Sequence, residues 1–326
     1  MRIDGSYGEG GGQILRTSIA LSAITGEEVE IVNIRAGRKN PGLRNQHLWG
    51  IKLVAMMSNA KVEGLRLGSQ RVKFTPSRIK GGEYRVDIGT AGSITLLLQT
   101  SILPALFGED KVIMKLKGGT DVPWAPPVDY YRHVLAPLLS KMGIALEIAV
   151  LERGYYPEGG GMVRVEVEPG ELKGIQLEHR GKLIDSMAFL NMRNLPLHIV
   201  ERMEKELRDF IVVKDVRNSG ISRGCGVLLV NKFENTVVGA DALCRRGIPA
   251  EKVAKDALEK MEMEKRSGAT VDIHMGDHLI PFGFLAKGKT MYYVREITKH
   301  ISTNAWVVEQ FGGKVRIEKK RVEIHA

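Results

Sequence analysis

The chain has 326 residues, 43% of them hydrophobic and 26% charged, the balance of an ordinary folded protein and not of a disordered or fibrous one. No run of 18 apolar residues occurs and the opening MRIDGSYGEG lacks a secretory signal layout, so no membrane-spanning helix is expected and a cytoplasmic setting is. A net charge of +10 and a pI near 9.5 favour polyanionic partners without deciding on one. Cys225 and Cys244 are the only cysteines, too few for a disulfide framework, and they are expected to be structural thiols in a reducing compartment.

In chain order, Gly8 to Arg16 (GEGGGQILR) comes first. Four glycines in five residues, followed by the apolar series Ile14, Leu15, Ile19, Leu21, Ile24, predict a glycine loop feeding a helix N-terminus. Such a terminus suits a phosphate or another anion. Glu9 is out of place in an anion cradle, which suggests a divalent cation between its carboxylate and bound phosphates; the other reading is a tight turn with a solvated Glu. Glu28 to Ile34 alternates as a half-buried strand does. Arg35, Arg38, Lys39, Arg44 and His47 then crowd around the turn Asn40, Pro41, Gly42. A helix over Leu43 to Met57 and strands over Lys61 to Leu67 and Arg71 to Pro76 complete a unit of two helices and about four strands.

That unit repeats roughly 81 residues further on, with Gly89 to Ser93 (GTAGS) in place of Gly8 to Gly12. A helix over Ile94 to Leu106, a strand over Val112 to Leu116, the loop GGTDVPWAPP (Gly118 to Pro127), a helix over Tyr130 to Met142 and strands over Ala145 to Glu152 and Met162 to Val167 follow. A third, shorter copy ends the chain: helix Gly276 to Ala286, strand Thr290 to Arg295, a loop containing TKHISTN, helix Thr303 to Phe311, and strands Lys314 to Glu318 and Arg321 to Ile324. The fold expected is α+β, three repeated βα units packed with pseudo-threefold symmetry into one core. The repeats are placed at 1–85, 86–174 and 270–326. Residues 175–269 fit neither the period nor the loops and are expected to form an inserted domain. It would hold strands at Leu183 to Leu190, Ile211 to Val216, Gly226 to Lys232 and Thr236 to Ala240, and helices at Pro196 to Phe210 and Pro249 to Lys265, the last bounded by Pro249 and Gly268.

Two glycine motifs are set aside. GFLAKGKT (Gly283 to Thr290) matches the P-loop expression, but helical spacing precedes it and strand residues follow, the reverse of the order a P-loop needs. GEGGGQ ends in Gln13 where a dinucleotide fingerprint needs Gly. Among eight histidines, His300 would meet the arginines of the first loop and the prolines of the second if the three loops share a face. Neighbouring positive charge disfavours imidazolium and leaves a neutral, nucleophilic ring. A loop histidine bonded to backbone, and a solvated basic loop for the arginines, are the structural alternatives.

In order along the chain, GEGGGQILR, IRAGRKNPGLRNQH, VEGLRLGSQ, GTAGS with LLLQT, KGGTDVPWAPP, YPEGGG, GDHLIPF and KHISTNAWVVE resemble the RNA 3'-terminal phosphate cyclase family over nearly the whole host region. The resemblance weakens in the insert. It implies three repeats of a unit also seen in enolpyruvyl transferases, a smaller inserted domain, and ATP-dependent conversion of an RNA 3'-phosphate to a 2',3'-cyclic phosphate. The implied route runs through a covalent histidinyl-AMP on His300 and an RNA adenylate, with release of pyrophosphate and AMP. It places Glu9 with Mg²⁺ or Mn²⁺ at the phosphates, and Arg16, Arg35, Arg38 and Gln46 at the RNA phosphate. Gln99, Pro126 and the segment His274, Met275, Gly276, Asp277, His278 fall on the nucleotide pocket. His274 stands where the family often has an aromatic residue and His278 where it often has Gln; imidazole can still stack on adenine. The partners implied are ATP and RNA with a 3'-phosphate, and a homo-oligomer is left open. A non-catalytic cyclase-like factor of ribosome assembly, expected to lack the nucleophilic histidine, and an enolpyruvyl transferase, which needs none, are the competing readings.

Overall fold

The computed structural model describes residues 1–325. Its first part runs β1 (Arg2–Asp4), α1 (Gln13–Thr25), β2 (Val29–Val32), α2 (Asn45–Ser58), β3 (Lys61–Glu63) and β4 (Val72–Thr75), with strand order β1-β2-β4-β3. β1 lies parallel to β2 and the other pairs are antiparallel. The strand predicted to Leu67 stops at Glu63, because Gly64 turns the chain at φ +76°, a conformation that favours Gly. β1 was not expected: three residues with one buried side chain carry too little periodicity to read.

A second set has the same order. β5 (Gly82–Asp87), α3 (Ile94–Ala105), β6 (Val112–Gly118), α4 (Val128–Tyr130), α5 (Ala136–Lys141), β7 (Leu146–Glu152) and β8 (Gly161–Val167) give a sheet β5-β6-β8-β7. The helix predicted over Tyr130 to Met142 is interrupted by a π-helical turn, Tyr131–Leu135. Pro137 at the start of α5 has no N–H to return to the preceding turn, which accounts for the break.

Residues 183–267 follow as β9 (Leu183–Arg193), α6 (His198–Glu204), β10 (Ile211–Arg217), β11 (Gly224–Phe233), β12 (Val237–Leu243) and α7 (Ala250–Ser267), with sheet order β10-β9-β11-β12. This sheet is covered on both faces. Along β11, Val227 and Leu229 enter a small core with α6 and α7, whereas Leu228 and Val230 enter the large core of the rest of the protein, as the two-residue strand period dictates. Gly239 on β12 permits the close approach, since a Cβ there would lie 2.7 Å from Val134 and 3.1 Å from the Tyr130 ring. Cys225 and Cys244 form a disulfide and are not the free thiols expected. The pairing Gly226↔Leu243, extended by one residue, sets them opposite each other, and Cys244 N–H donates to the Cys225 carbonyl. Their separation of 19 residues had not revealed that register.

The last part contains α8 (Met275–Leu285), β13 (Thr290–Tyr293), α9 (Lys299–Gln310), β14 (Lys314–Glu318) and β15 (Arg321–His325), with strand order β13-β15-β14. Residues 173 and 176 bridge in parallel to Lys287 and Met291, and Ile175 and Leu177 are buried in the large core. They flank β13 as β1 flanks β2. TKHISTN is not a loop: the Thr298 hydroxyl accepts from Ile301 N–H at 3.2 Å and starts α9 at Lys299, so His300 lies in the first helical turn. Thr at an N-cap is a strong start signal. In GFLAKGKT, α8 precedes and β13 follows, as its spacing indicated. Helix α1 packs against α2, α3 and α9, so helices from three parts of the chain meet.

Asp272 ties the region of β12 to the start of α8. Fully buried, it accepts from Tyr130 Oη at 2.5 Å, from the His274 and Met275 N–H groups at 3.0 Å each, and from Gly239 N–H at 2.9 Å. Asp272→Ala leaves these four donors unpaired at about 1–3 kcal/mol apiece, so a loss of at least about 4 kcal/mol is expected. A urea titration followed by circular dichroism should show the midpoint falling with an unchanged slope.

Candidate active site

A cleft of about 940 Å³ opens where the glycine loops and helix starts of the three sheet regions converge, a size suited to a nucleotide. Glu9, Arg16, Arg35, Arg38, Gln46, Gln99, Pro126, His274, Asp277, His278 and His300 all line it. Met275 and Gly276 depart from the expectation. Met275 is fully buried, and a Cβ on Gly276 would meet Val294 and Ile301, so this turn of α8 faces the core between the two cleft-facing ends.

The centre of the site is a chain of polar side chains. Gln13, 1% exposed, donates through Nε2 to Asp277 Oδ2 at 2.6 Å, and its Oε1 lies 2.8 Å from His300 Nδ1. A carboxylate can only accept, so the Gln13 NH₂ must face Asp277 and its carbonyl must face His300. That carbonyl can only accept in turn. Nδ1 of His300 therefore carries the proton, and Nε2 keeps its lone pair. Burial pushes the His300 pKa below its ordinary value, Asp277 opposes the shift, and Arg16 and Arg38 add to it. At neutral pH the imidazole is uncharged, with 47% of its side-chain surface open. Burial disfavours the charged Asp277, but His278, His300 and His274 outweigh it and hold the carboxyl below its usual range.

Sequence reasoning missed Gln13, noticing it only as the residue that spoils a dinucleotide motif. Its partners are 264 and 287 residues away, and no local pattern points to them. His47 was counted among the basic residues and given no task. It lines the cleft, its Nδ1 accepts from Arg44 N–H at 3.1 Å, and burial followed by Arg16, Arg35 and Arg44 holds it well below the usual histidine pKa. The neutral ring thus presents an Nε2–H donor. Residues of β12 and α7 and the segment between them, Asp241, Leu243, Arg245 and Lys260, also line the cleft.

The arginines have distinct surroundings. Arg16 Nε donates to Gln99 Oε1 at 2.6 Å, and burial lowers its pKa to about 10, still a cation at neutral pH. Arg35, at φ +57°, donates from Nη1 to the carbonyls of Asn40 at 2.9 Å and Gly42 at 2.7 Å; it braces the turn with one edge. Arg38 pairs with Glu9, so Glu9 is not a solvated turn residue. Gln46 Oε1 accepts from Ser93 N–H at 3.0 Å, joining the first loop to the second. Among the described residues no group of three or more His, Cys, Asp or Glu could hold a metal. Glu9 therefore fits a divalent cation only as one carboxylate beside ligand phosphates.

The glycine loop is seated against α9. Gly8 has φ +58°, and a Cβ there would fall 2.4 Å from Thr303 Oγ1, a group that also receives the Glu9 N–H at 3.4 Å. Nitrogen-15 NMR of labelled histidine should show His300 as the Nδ1–H form near neutral pH, and Gln13→Leu should convert it to a tautomer mixture while the remaining spectrum stays folded.

The RNA 3'-terminal phosphate cyclase family model matches residues 7–317. The chain is 46% identical over 322 residues to an RNA 3'-terminal phosphate cyclase of Archaeoglobus fulgidus, covering 97% of this chain and 96% of that one. It is 50% identical over 323 residues to one of Pyrococcus furiosus, at 96% and 93% coverage, and 44% identical over 326 residues to one of Methanopyrus kandleri, at 95% and 93%. With matches of this extent, and the glycine loop, basic loop and histidine helix all facing one cleft, the chain belongs to the RNA 3'-terminal phosphate cyclase family.

Proposed function

We propose that the protein uses ATP to convert the 3'-terminal phosphate of RNA to a 2',3'-cyclic phosphate, with His300 as nucleophile. The observation that carries this reading is the Asp277–Gln13–His300 chain, which leaves a neutral Nε2 facing a cleft lined with arginines. Nε2 attacks the α-phosphorus of ATP; a P–N bond forms, the bond to the β-phosphate oxygen breaks, and pyrophosphate leaves. An oxygen of the RNA 3'-phosphate then attacks the same phosphorus, freeing His300 and giving an RNA adenylate. The vicinal ribose 2'-OH attacks the terminal phosphorus, loses its proton and expels AMP. Proximity supplies much of the rate of that last, intramolecular step.

Gln99, Pro126 and the cleft-facing residues His274, Asp277 and His278 would receive the nucleotide. Arg16, Arg35, Arg38 and Gln46 would receive the RNA phosphate, where guanidinium forks suit its oxygens. Glu9 would hold Mg²⁺ or Mn²⁺, whose contribution is to offset phosphate charge; Arg38 then exchanges its Glu9 partner for phosphate oxygens. We place the protein in the cytoplasm. The three sheets with their helices are taken as repeats about a pseudo-threefold axis, and 175–269 as an inserted domain that leaves Ile175 and Leu177 in the host core.

Incubation with ATP labelled at the α-phosphate should give an acid-labile, base-stable label on the parent and none on His300→Ala. RNA ending in a 3'-phosphate should discharge that label into AMP and cyclic ends; a 3'-hydroxyl RNA should not. A parent that takes no label with either Mg²⁺ or Mn²⁺ would contradict the mechanism. The pH dependence has a definite sign. Lowering pH through the depressed His300 pKa protonates Nε2, so the acid limb of self-labelling should lie below the ordinary histidine value of about 6.5. Arg38→Gln removes a nearby positive charge and should move that limb upward.

A further inference from the structure

Trp124 is 94% exposed, yet it lines the same cleft as His300. Its backbone sits at φ +65°, a left-handed conformation that a bulky residue rarely adopts. Both flanks are fixed. Pro123 precedes it, Pro126 and Pro127 follow, and Arg153 anchors the loop from below, with Nη2 at 2.7 Å from Asp129 and Nη1 at 3.3 Å from Asp121. Arg153 is 3% exposed and reaches Asp215 of β10 through Nε at 2.8 Å. The indole is thus displayed on a clamped loop, and an outlier held by such surroundings motivates a functional explanation.

Tyr156 stands on the same cleft and is 64% exposed, while the adjacent Tyr155 is 4% exposed and donates from Oη to Asn191 at 2.6 Å. Arg245 and Lys260 line the same cleft, Lys260 donating from Nζ to the Asp241 carbonyl at 2.6 Å. Exposed aromatic faces and cations lining one cleft are the elements of a single-strand nucleic-acid site, in which bases stack and the backbone meets positive charge.

Resting on the cyclase reading, we propose that Trp124 is a stacking platform for an unpaired base within two nucleotides of the reacting RNA end, with Arg245 and Lys260 holding the adjoining phosphates. The residues of this site are other than those assigned to the nucleotide and to the terminal phosphate, and they line the same cleft. It gives the insert a task that none of the catalytic steps requires, and it selects for a single-stranded end without selecting its sequence, because every base has a face to stack.

The test uses the full chain and a fluorescein-labelled ten-nucleotide single-stranded RNA with a 3'-phosphate, alongside versions abasic at the last or the penultimate position. Trp124→Ala should weaken binding of the intact RNA about tenfold and raise its KM by a similar factor with little change in kcat. Trp124→Phe should recover most of the affinity. One abasic RNA should bind the parent as weakly as the intact RNA binds Trp124→Ala, and should be indifferent to the substitution. Arg245→Ala should reduce the salt dependence of binding. Self-labelling by ATP is measured on every variant and should fall by less than the RNA affinity does. RNA affinity indifferent to Trp124 in a protein that labels itself overturns this proposal alone. Equal losses in labelling and in RNA binding overturn it too, by assigning the indole to the nucleotide pocket or to loop structure. A parent that takes no label removes the cyclase reading and this one together.

Discussion

Helices α1, α8 and α9 are locked to one another by buried polar bonds as well as by apolar packing. Gln13 and Thr17 on α1 reach Asp277, His300 and Asn304; Thr17 Oγ1 donates to Asn304 Oδ1 at 2.7 Å, and Asn304 Nδ2 to the Asp277 carbonyl at 2.9 Å. Each of these groups would be costly to bury unpaired, so the three helices have one register in which all are satisfied. Apolar residues around the seam, such as Ile14, Leu279 and Ile301, supply the drive to associate but would tolerate sliding. The polar seam does not. It fixes where the glycine loop stands relative to α9, and hence where Glu9 stands relative to His300.

Function then depends on a chain of constraints with little slack. Gly12 precedes α1 without a side-chain cap and lines the cleft beside Arg16 and His47, leaving the helix start available to anions. Arg35 holds the turn that carries Arg38, and Gln46 ties that turn to Ser93. The surrounding cations favour phosphate and, with burial, keep His300 and His47 neutral, one with a free lone pair and the other with a free N–H. A single electrostatic environment thus sets the protonation state of both rings.

The β10-β9-β11-β12 sheet takes part in this architecture through both of its faces. Its apolar strand residues alternate between two cores, and the buried Arg153 and Arg193 join it to β7 and to the 121–129 loop, Arg193 Nε lying 2.7 Å from Glu152. Buried charges so arranged add little net stability over apolar packing, but breaking one partner is expensive. Orientation of the loop that displays Trp124 is the plain consequence.

Most of the helices, the mixed α and β character and the basic loop were legible in the sequence, because a 3.6-residue apolar period and glycine-rich turns are local signals. The motifs around Glu9, Arg38, Asp277 and His300 pointed to one site for the same reason. What sequence could not give was set by partners far away in the chain. Three-residue β1 and the 173–177 segment acquire their character only from a parallel neighbour. The Cys225–Cys244 bond follows from strand register, and the role of Gln13 from two partners more than 260 residues distant. Local periodicity determined which segments would be helix or strand and which residue types the cleft could draw on. Tertiary structure alone decided which nitrogen of His300 is free, because that depends on an amide whose orientation is dictated by a carboxylate on another helix.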